Sequence, residues 1–324
     1  MASTLIDSKP AASFAKNPPK SLWQQIKKNW FVYAFLLPSF ILFITWIYYP
    51  AGVAFFESMF NWQPNVRNEF VGYLNFKSVL TDRGFWISWR NTLLIAAWTF
   101  TIPFAMPILV AEAIFNLKSK VAKNFYRIAV LVPVLVPGIV NLMIWKWMYV
   151  YPDGGINLIL KTAGLGQYVT PWLATQNTAM PAILFMGFPW ITGVASLVYL
   201  AGLLGIELDV IDASKIDGCS TWRRIISIDL PYLMGQIRLY LIFGIIGLLQ
   251  GFGAQLALTR GGPNNATIVP GLYLYKLAFG LERFEKAHRQ MGEASAVGVI
   301  LFVLILGLSI MVYRRTGGSK SDQR

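Results

Sequence analysis

Long uncharged runs alternate with short polar segments along this chain, and six of the runs approach the length of a membrane helix. They read as Phe31–Phe56, Asn91–Phe115, Ile128–Val150, Ala179–Leu200, Ile237–Leu258 and Gly292–Tyr313. About 20 apolar residues cross the hydrocarbon core of a bilayer as a helix. The pattern therefore predicts an all-α, polytopic membrane protein with about six transmembrane helices. The first run exceeds the roughly 7–15 residues of a signal-peptide core and follows a polar arm, so it reads as a permanent helix. Pro38, Pro103, Pro107, Pro133, Pro137 and Pro189 fall inside the runs. Membrane helices tolerate such breaks where neighbours or a cavity satisfy the freed backbone carbonyls, which suits a transporter or channel. The domain reading is a polar arm over 1–30, a membrane domain over 31–313 and a tail over 314–324. The arm divides into a Pro- and Ala-rich part read as disordered and a stretch, "SLWQQIKKNW", read as an interfacial helix.

The polar segment at 202–235 breaks the apolar pattern. Its "DVIDASKIDGCSTWRRIISIDLP" carries Asp209, Asp212, Lys215, Asp217, Arg223, Arg224 and Asp229. Glu207 to Ile216 reads as a short helix, with Val210, Ala213 and the Ile216–Asp217 turn near one face and Asp209 and Asp212 on another. Asp217-Gly218 breaks it, because glycine takes the left-handed conformation that ends a helix. Ser220 then caps a second amphipathic helix, "TWRRIISIDL", and Pro231 marks the return to the next run. Two short helices meeting at a glycine make an elbow, a shape suited to a groove on a partner.

Composition supports the membrane reading. Of 324 residues 56% are hydrophobic and only 13% charged. One cysteine, Cys219, and one histidine, His288, leave no disulfide framework, no Cys- or His-based metal centre and little basis for a Ser-His triad. The net charge of +13 is distributed as membrane topology rather than as a nucleic-acid surface. Seventeen Lys and Arg fall in the arm, the loop after the second run, the elbow and the tail, against ten on the other side. That excess predicts both termini and the elbow in the cytoplasm. The external residues Arg283, Lys286 and Arg289 cluster, which favours an anionic ligand or an acidic binding protein through long-range attraction.

The elbow resembles the EAA loop of bacterial binding-protein-dependent ABC importer permeases, whose pattern is roughly E-A-A-x-x-D-G-A followed by L-P. Here it reads Asp212-Ala213-Ser214-Lys215-Ile216-Asp217-Gly218-Cys219, then Leu230-Pro231. Asp212 stands for the usual Glu, Ser214 for the second Ala and Cys219 for the last. "RNTLLIA" at Arg90–Ala96 resembles the family's entry to span two, and "VPVLVPGIVNLMIWKWMY", "DGGINLIL", "TPWL", "LTRGGPNNAT", "YLYKLAF" and "MGEASAVGVILF" are similar to its carbohydrate-uptake branch, in order. The resemblance implies import of a sugar or oligosaccharide, acidic or neutral, across a bacterial inner membrane. It implies a second and different permease, two ATPase subunits holding ATP and Mg, and an extracytoplasmic solute-binding protein. It also implies that Asp212, Ala213, Ser214, Ile216, Asp217, Gly218 and Trp222 form a docking surface for an ATPase subunit, and that this chain is not itself an enzyme.

Other motifs carry less. "GGSKS" at the tail lacks the Gly-Lys step and the following helix of a phosphate-binding loop, so no nucleotide site is expected on this chain. Asn265-Ala266-Thr267 matches a glycosylation sequon, but "GGPNN" reads better as an external turn. Lys146 sits near a run's external end, where snorkelling accounts for it. For the substrate pathway the candidates are Gln250, Gly251, Gly253 and Gln255, amides beside residues without side chains, together with Asn141 and Trp190. Trp145, Trp147 and Trp172 read as an interfacial belt. A stand-alone secondary carrier is the competing class. Such carriers often hold buried carboxylates, and only Glu112 and Glu293 fall within the runs, near helix ends.

Overall fold

The structure, a computed structural model, describes residues 22–62, 69–191, 193–280 and 290–316. The arm through Ser21, Arg67, Thr192, the Arg283, Lys286 and Arg289 cluster, His288 and the "GGSKS" tail lie outside the described residues. Among those described, regular structure is helical apart from one two-residue antiparallel pair that sets Phe60 opposite Phe70 and Asn61 opposite Glu69.

The chain divides into two units, the first ending at Val53 and the second starting at Ala54. In the first, a short helix Leu22–Lys28 ends on Lys27 and Lys28, and the membrane helix Trp30–Glu57 begins at Trp30. At 28 residues this helix is about 42 Å long, enough to cross the core. A π-helical turn interrupts it at Ile44–Tyr48.

In the second unit, Arg83–Asn116, Met234–Leu258 and Met291–Arg315 are also long and apolar enough to span. Span two starts eight residues before the sequence pattern placed it. Asp82 caps its first turn by accepting from the Gly84 amide, and Arg83 and Arg90 disguised that turn as loop.

Two predicted spans are broken. The third is the pair Lys120–Leu135 and Gly138–Met148, bent by 83°. Val136 is extended, as a residue before proline prefers, and Pro137 stands outside the second helix as its N-cap. The predicted fourth span, Ala179–Leu200, is two short helices, Gln176–Phe185 and Gly193–Leu204. Neither reaches the roughly 17 residues that cross a bilayer. Gly187 and Trp190 both take positive φ between them, and Pro189 removes a backbone donor. Gly193–Leu204 instead runs into Leu208–Ile216 with a 75° bend.

Two buried clusters hold the unit. Val79, Phe85, Ile268, Leu272, Tyr273, Val297 and Leu301 join helices Leu74–Thr81, Arg83–Thr99, Pro270–Phe279 and Met291–Thr316. Ala111, Ala195, Tyr199, Leu203, Ile206, Ile211 and Leu233 join Ile102–Asn116, Gly193–Leu204 and the elbow. Small residues Ala111, Ala195 and Ser196 are buried where the first two of these helices cross, the close approach that packs helices in lipid. Outward-facing Leu93, Phe243, Phe302 and Val303 remain exposed, as lipid-facing side chains do.

Two of the sequence motifs meet in space. The buried Asn91 amide donates to the carbonyls of Asn265 (3.0 Å) and Ile268 (2.9 Å), pinning a turn in which Asn264 and Asn265 have positive φ. Asn91→Leu removes that donor from both; the Asn265 carbonyl keeps the Ile268 amide at 3.3 Å, and the Ile268 carbonyl loses its side-chain donor at about 1–3 kcal/mol. The expected result is a lower thermal unfolding midpoint of the purified protein in detergent. An unchanged midpoint would show that the turn holds without Asn91.

Candidate functional site

The elbow is built as its residues dictate. Its first helix is Leu208–Ile216, and Asp217 caps it. Gly218 follows at φ +69°, and two hydrogen bonds close the end: Gly218 N–H to the Lys215 carbonyl (3.0 Å) and Cys219 N–H to the Ser214 carbonyl (2.9 Å). This pair is the Schellman arrangement, which needs a left-handed residue where Gly218 stands. The Ser220 hydroxyl then accepts from the Arg223 amide and starts the second arm, Thr221–Arg224, which continues through a π-helical stretch, Ile225–Asp229, to Pro231.

The second arm is inside out. Its apolar Trp222 and Ile226, four residues apart on one stripe, are exposed, whereas Arg224 is 9% and Asp229 0% exposed. Arg224 Nε donates to Asp229 Oδ2 at 3.0 Å and Nη2 to Asn116 Oδ1 at 2.6 Å. On the first arm Ile216 is 87% exposed, and Leu208 at its other end is exposed too. Exposed apolar side chains on a polar segment outside the long spans are of the kind that partners cover. Asp212 pairs with Lys215 at 2.8 Å in the open. Ser214, of the expected docking set, lines the cleft inside the bend. It is buried, and its hydroxyl donates to the Ile211 carbonyl, so it braces the elbow from within. Inside the bend lies a cleft of about 460 Å³ between Ala213, Asp217, Cys219 and Arg223.

The pathway candidates other than Gln250 line two separate clefts. One, of about 740 Å³, opens at the breaks of the third and fourth predicted spans and includes Pro103, Val130, Asn141, Trp145, Trp190 and Gly193. Trp190 meets Trp98, Phe185 and Phe188 edge to face at 5.1–5.9 Å. Its indole N–H is buried with no acceptor among the described residues. Gly193 is required here, since a Cβ would run into the Val130 carbonyl oxygen. The other cleft, of about 360 Å³, includes Gly251, Gly253, Gln255 and Val269. Gln255 is buried, and Gln250 is exposed and not among the lining residues. Gly253 faces open space. Gly271 packs closely, since a Cβ there would crowd the Gln250 carbonyl and the Phe252 ring. No group of three or more His, Cys, Asp or Glu side chains among the described residues could hold a metal ion.

The profile of binding-protein-dependent transport system inner membrane components matches residues 104–316, about two thirds of the chain, elbow included. The chain belongs to that family. The permease is 31% identical over 307 residues to the diacetylchitobiose uptake system permease protein NgcF of Streptomyces coelicolor, covering 91% of this chain and 85% of that one. It is 31% identical to the trehalose/maltose transport system permease protein MalF of Thermococcus litoralis, covering 90% and 94%. A crystal structure of a bacterial ABC transporter involved in import of the acidic polysaccharide alginate shares the fold, with a TM-score of 0.78, 24% identity and coverage of 93% and 100%. This chain is therefore a permease subunit of the sugar ABC importers.

Within the permease, the structure brings Trp190 and Asn141 to one cleft and adds Trp145, which the sequence had placed in the belt. The other two tryptophans differ from each other. Trp172 donates to the buried Asn157 at 2.8 Å, a structural contact, and Trp147 is exposed. The buried partners of Arg224 were invisible in the sequence because Asn116 lies 108 positions away.

Proposed function

We propose that this permease works beside a second, different permease and two ATPase subunits, with its elbow docked on one of them in the cytoplasm. ATP and Mg belong to those subunits, and a binding protein delivers the sugar on the opposite face of the inner membrane. The observation that carries the reading is the exposure of Ile216, Trp222 and Ile226 on a charged elbow between membrane helices. Both termini lie on the elbow's side, as the excess of Lys and Arg there supports. A stand-alone carrier is not favoured, because the family is built around a binding protein.

For substrate we propose a small oligosaccharide held in the cleft of Trp190. At about 740 Å³ the cleft is in the range of ligand sites, roughly 300–1,000 Å³. Its lining is aromatic and apolar with the Asn141 amide, and it holds no charged side chain. That surface suits the face of a sugar ring and its hydroxyls. An acidic sugar, such as the alginate handled by the structural neighbour, would take its charge recognition from elsewhere, the binding protein included. The test is ATPase stimulation of the complex in liposomes with its binding protein, across neutral and acidic oligosaccharides. Stimulation by neutral members is expected. Stimulation by uronate oligomers alone would transfer the proposal to acidic substrates, and uptake by vesicles holding only this chain would overturn the complex itself.

Trp190→Ala removes the aromatic face and the orphan indole N–H together. Uptake is expected to need several-fold more sugar-loaded binding protein for half-maximal rate, with the ATPase subunits still bound. Unchanged concentration dependence would move the sugar to the smaller cleft of Gly253 and Gln255.

A further inference from the structure

The buried charges behind the elbow are not used by docking or by either cleft. Arg224 sits at the end of helix Ile102–Asn116, where the last carbonyls concentrate partial negative charge and a cation is favourable. Its guanidinium reaches across to that helix through Asn116 and lies 4.0 Å from Glu112 Oε2 and 5.6 Å from the Phe115 ring centre. Asn116 in turn donates to Glu112 Oε2 at 3.2 Å. Glu112 is 4% exposed, so all three charges are out of water. Two carboxylates share one cation. Glu112 Oε1 and Asp229 Oδ1 have no hydrogen-bond partner among the described residues.

A buried cluster with more acceptors than donors is costly, and removing its one cation leaves uncompensated charge. Within it Arg224 has two anionic partners of different origin. Asp229 belongs to its own arm and Glu112 to the membrane helix. The guanidinium thus ties the loop to the helix at one buried point, a packed route by which displacement of one can reach the other. The two ends of Ile102–Asn116 are also telling. Asn116 touches the elbow, and Pro103, the helix's second residue, lines the Trp190 cleft.

We propose that Arg224 is a positioning residue that carries displacement of the elbow into helix Ile102–Asn116, using Asn116 and Glu112 as its grips on that helix and Asp229 as its grip on the loop. The proposal rests on the elbow being the ATPase docking site. Docking supplies the force and Arg224 converts it to movement at the cleft.

The test uses the whole complex in liposomes, with sugar-loaded binding protein, and reads three quantities: ATPase subunit retained, ATP hydrolysed and sugar imported. Arg224→Met is expected to keep the ATPase subunit, since Trp222, Ile226 and Ile216 are untouched, while ATP used per sugar imported rises about tenfold. Arg224→Lys keeps the charge but not the two-armed grip, and its ratio should fall between the two. Should Arg224→Met fail to fold, Glu112→Gln, Arg224→Met and Asp229→Asn together remove every buried charge of the cluster. That triple variant is expected to regain the wild-type melting temperature and keep the raised ratio. A wild-type ratio in Arg224→Met, or in the triple variant, overturns the proposal while leaving the docking reading intact. Loss of the ATPase subunit from Arg224→Met or from the triple variant also overturns it, because Arg224 would then serve docking and not transmission. A wild-type complex that holds its ATPase without contact to the elbow, read by crosslinking from Cys219, overturns the docking reading and this proposal with it.

Discussion

Gly218→Val is expected to cut coupled uptake by at least about tenfold, while the chain still inserts in the membrane. Space is not the cause, because a Cβ at Gly218 meets nothing within 4 Å. The cause is conformation. At φ +69° an L-residue pays about 1–2 kcal/mol, and a β-branched one sits at the upper end of the range for strained backbone. The chain escapes that cost by leaving the left-handed region. Doing so breaks the bonds from Gly218 and Cys219 to Lys215 and Ser214 and turns the second arm away from the first. Trp222 and Ile226 would then change their direction relative to Ile216. Asparagine tolerates the left-handed region better than other side chains, so Gly218→Asn should keep most of the uptake. Uptake measured for both variants in the same liposome preparation separates strain from bulk. Equal losses in both would mean that any side chain at Gly218 obstructs the partner, and full activity in Gly218→Val would remove the elbow geometry from the mechanism.

The elbow was legible because its signals are local. Gly218 and Ser220 fall where a left-handed stop and a helix start are needed, and each acts within four residues of itself. The long spans were legible for the same reason, through composition alone. The breaks were half legible. Pro133, Pro137 and Pro189 announced them, yet proline does not say whether a helix kinks or stops. At Gly187 and Trp190 it stops, leaving two helices too short to span. The inverted second arm was not legible. The spacing showed an amphipathic helix and the resemblance put Trp222 on the docking surface, but nothing local said that Arg224 and Asp229 would be buried behind it. Only Asn116 and Glu112 on a distant helix make that burial stable, by giving Arg224 a buried acceptor and a counter-charge. The bond from Asn91 to the turn at Asn265 is of the same kind, set by a partner 174 residues away.

Ile216→Asp combined with Trp222→Ala should release the ATPase subunit, the largest effect expected from any substitution on this chain. Ile216 is 87% exposed and Trp222 69%, and no part of the described chain covers either. Side chains that costly to leave in water are retained where a partner desolvates them. Tryptophan anchors in such pockets are worth about 2 kcal/mol or more on truncation, and a carboxylate forced into the facing apolar groove adds at least as much. Together the two changes weaken docking by about a thousandfold, since each 1.4 kcal/mol is tenfold. Asp212 provides the contrast. Its pair with Lys215 is fully solvated, and such surface pairs contribute about 0–1 kcal/mol. Asp212→Ala is therefore expected to reduce uptake several-fold at most, through any charge it offers the partner, and Asp212→Glu to keep nearly all of it. Titrating the purified ATPase subunit onto each variant in nanodiscs gives the three affinities directly. Wild-type affinity in the Ile216→Asp, Trp222→Ala variant would move the docking surface off these exposed side chains and into the cleft between Ala213, Asp217 and Arg223, the remaining face of the elbow open to a partner.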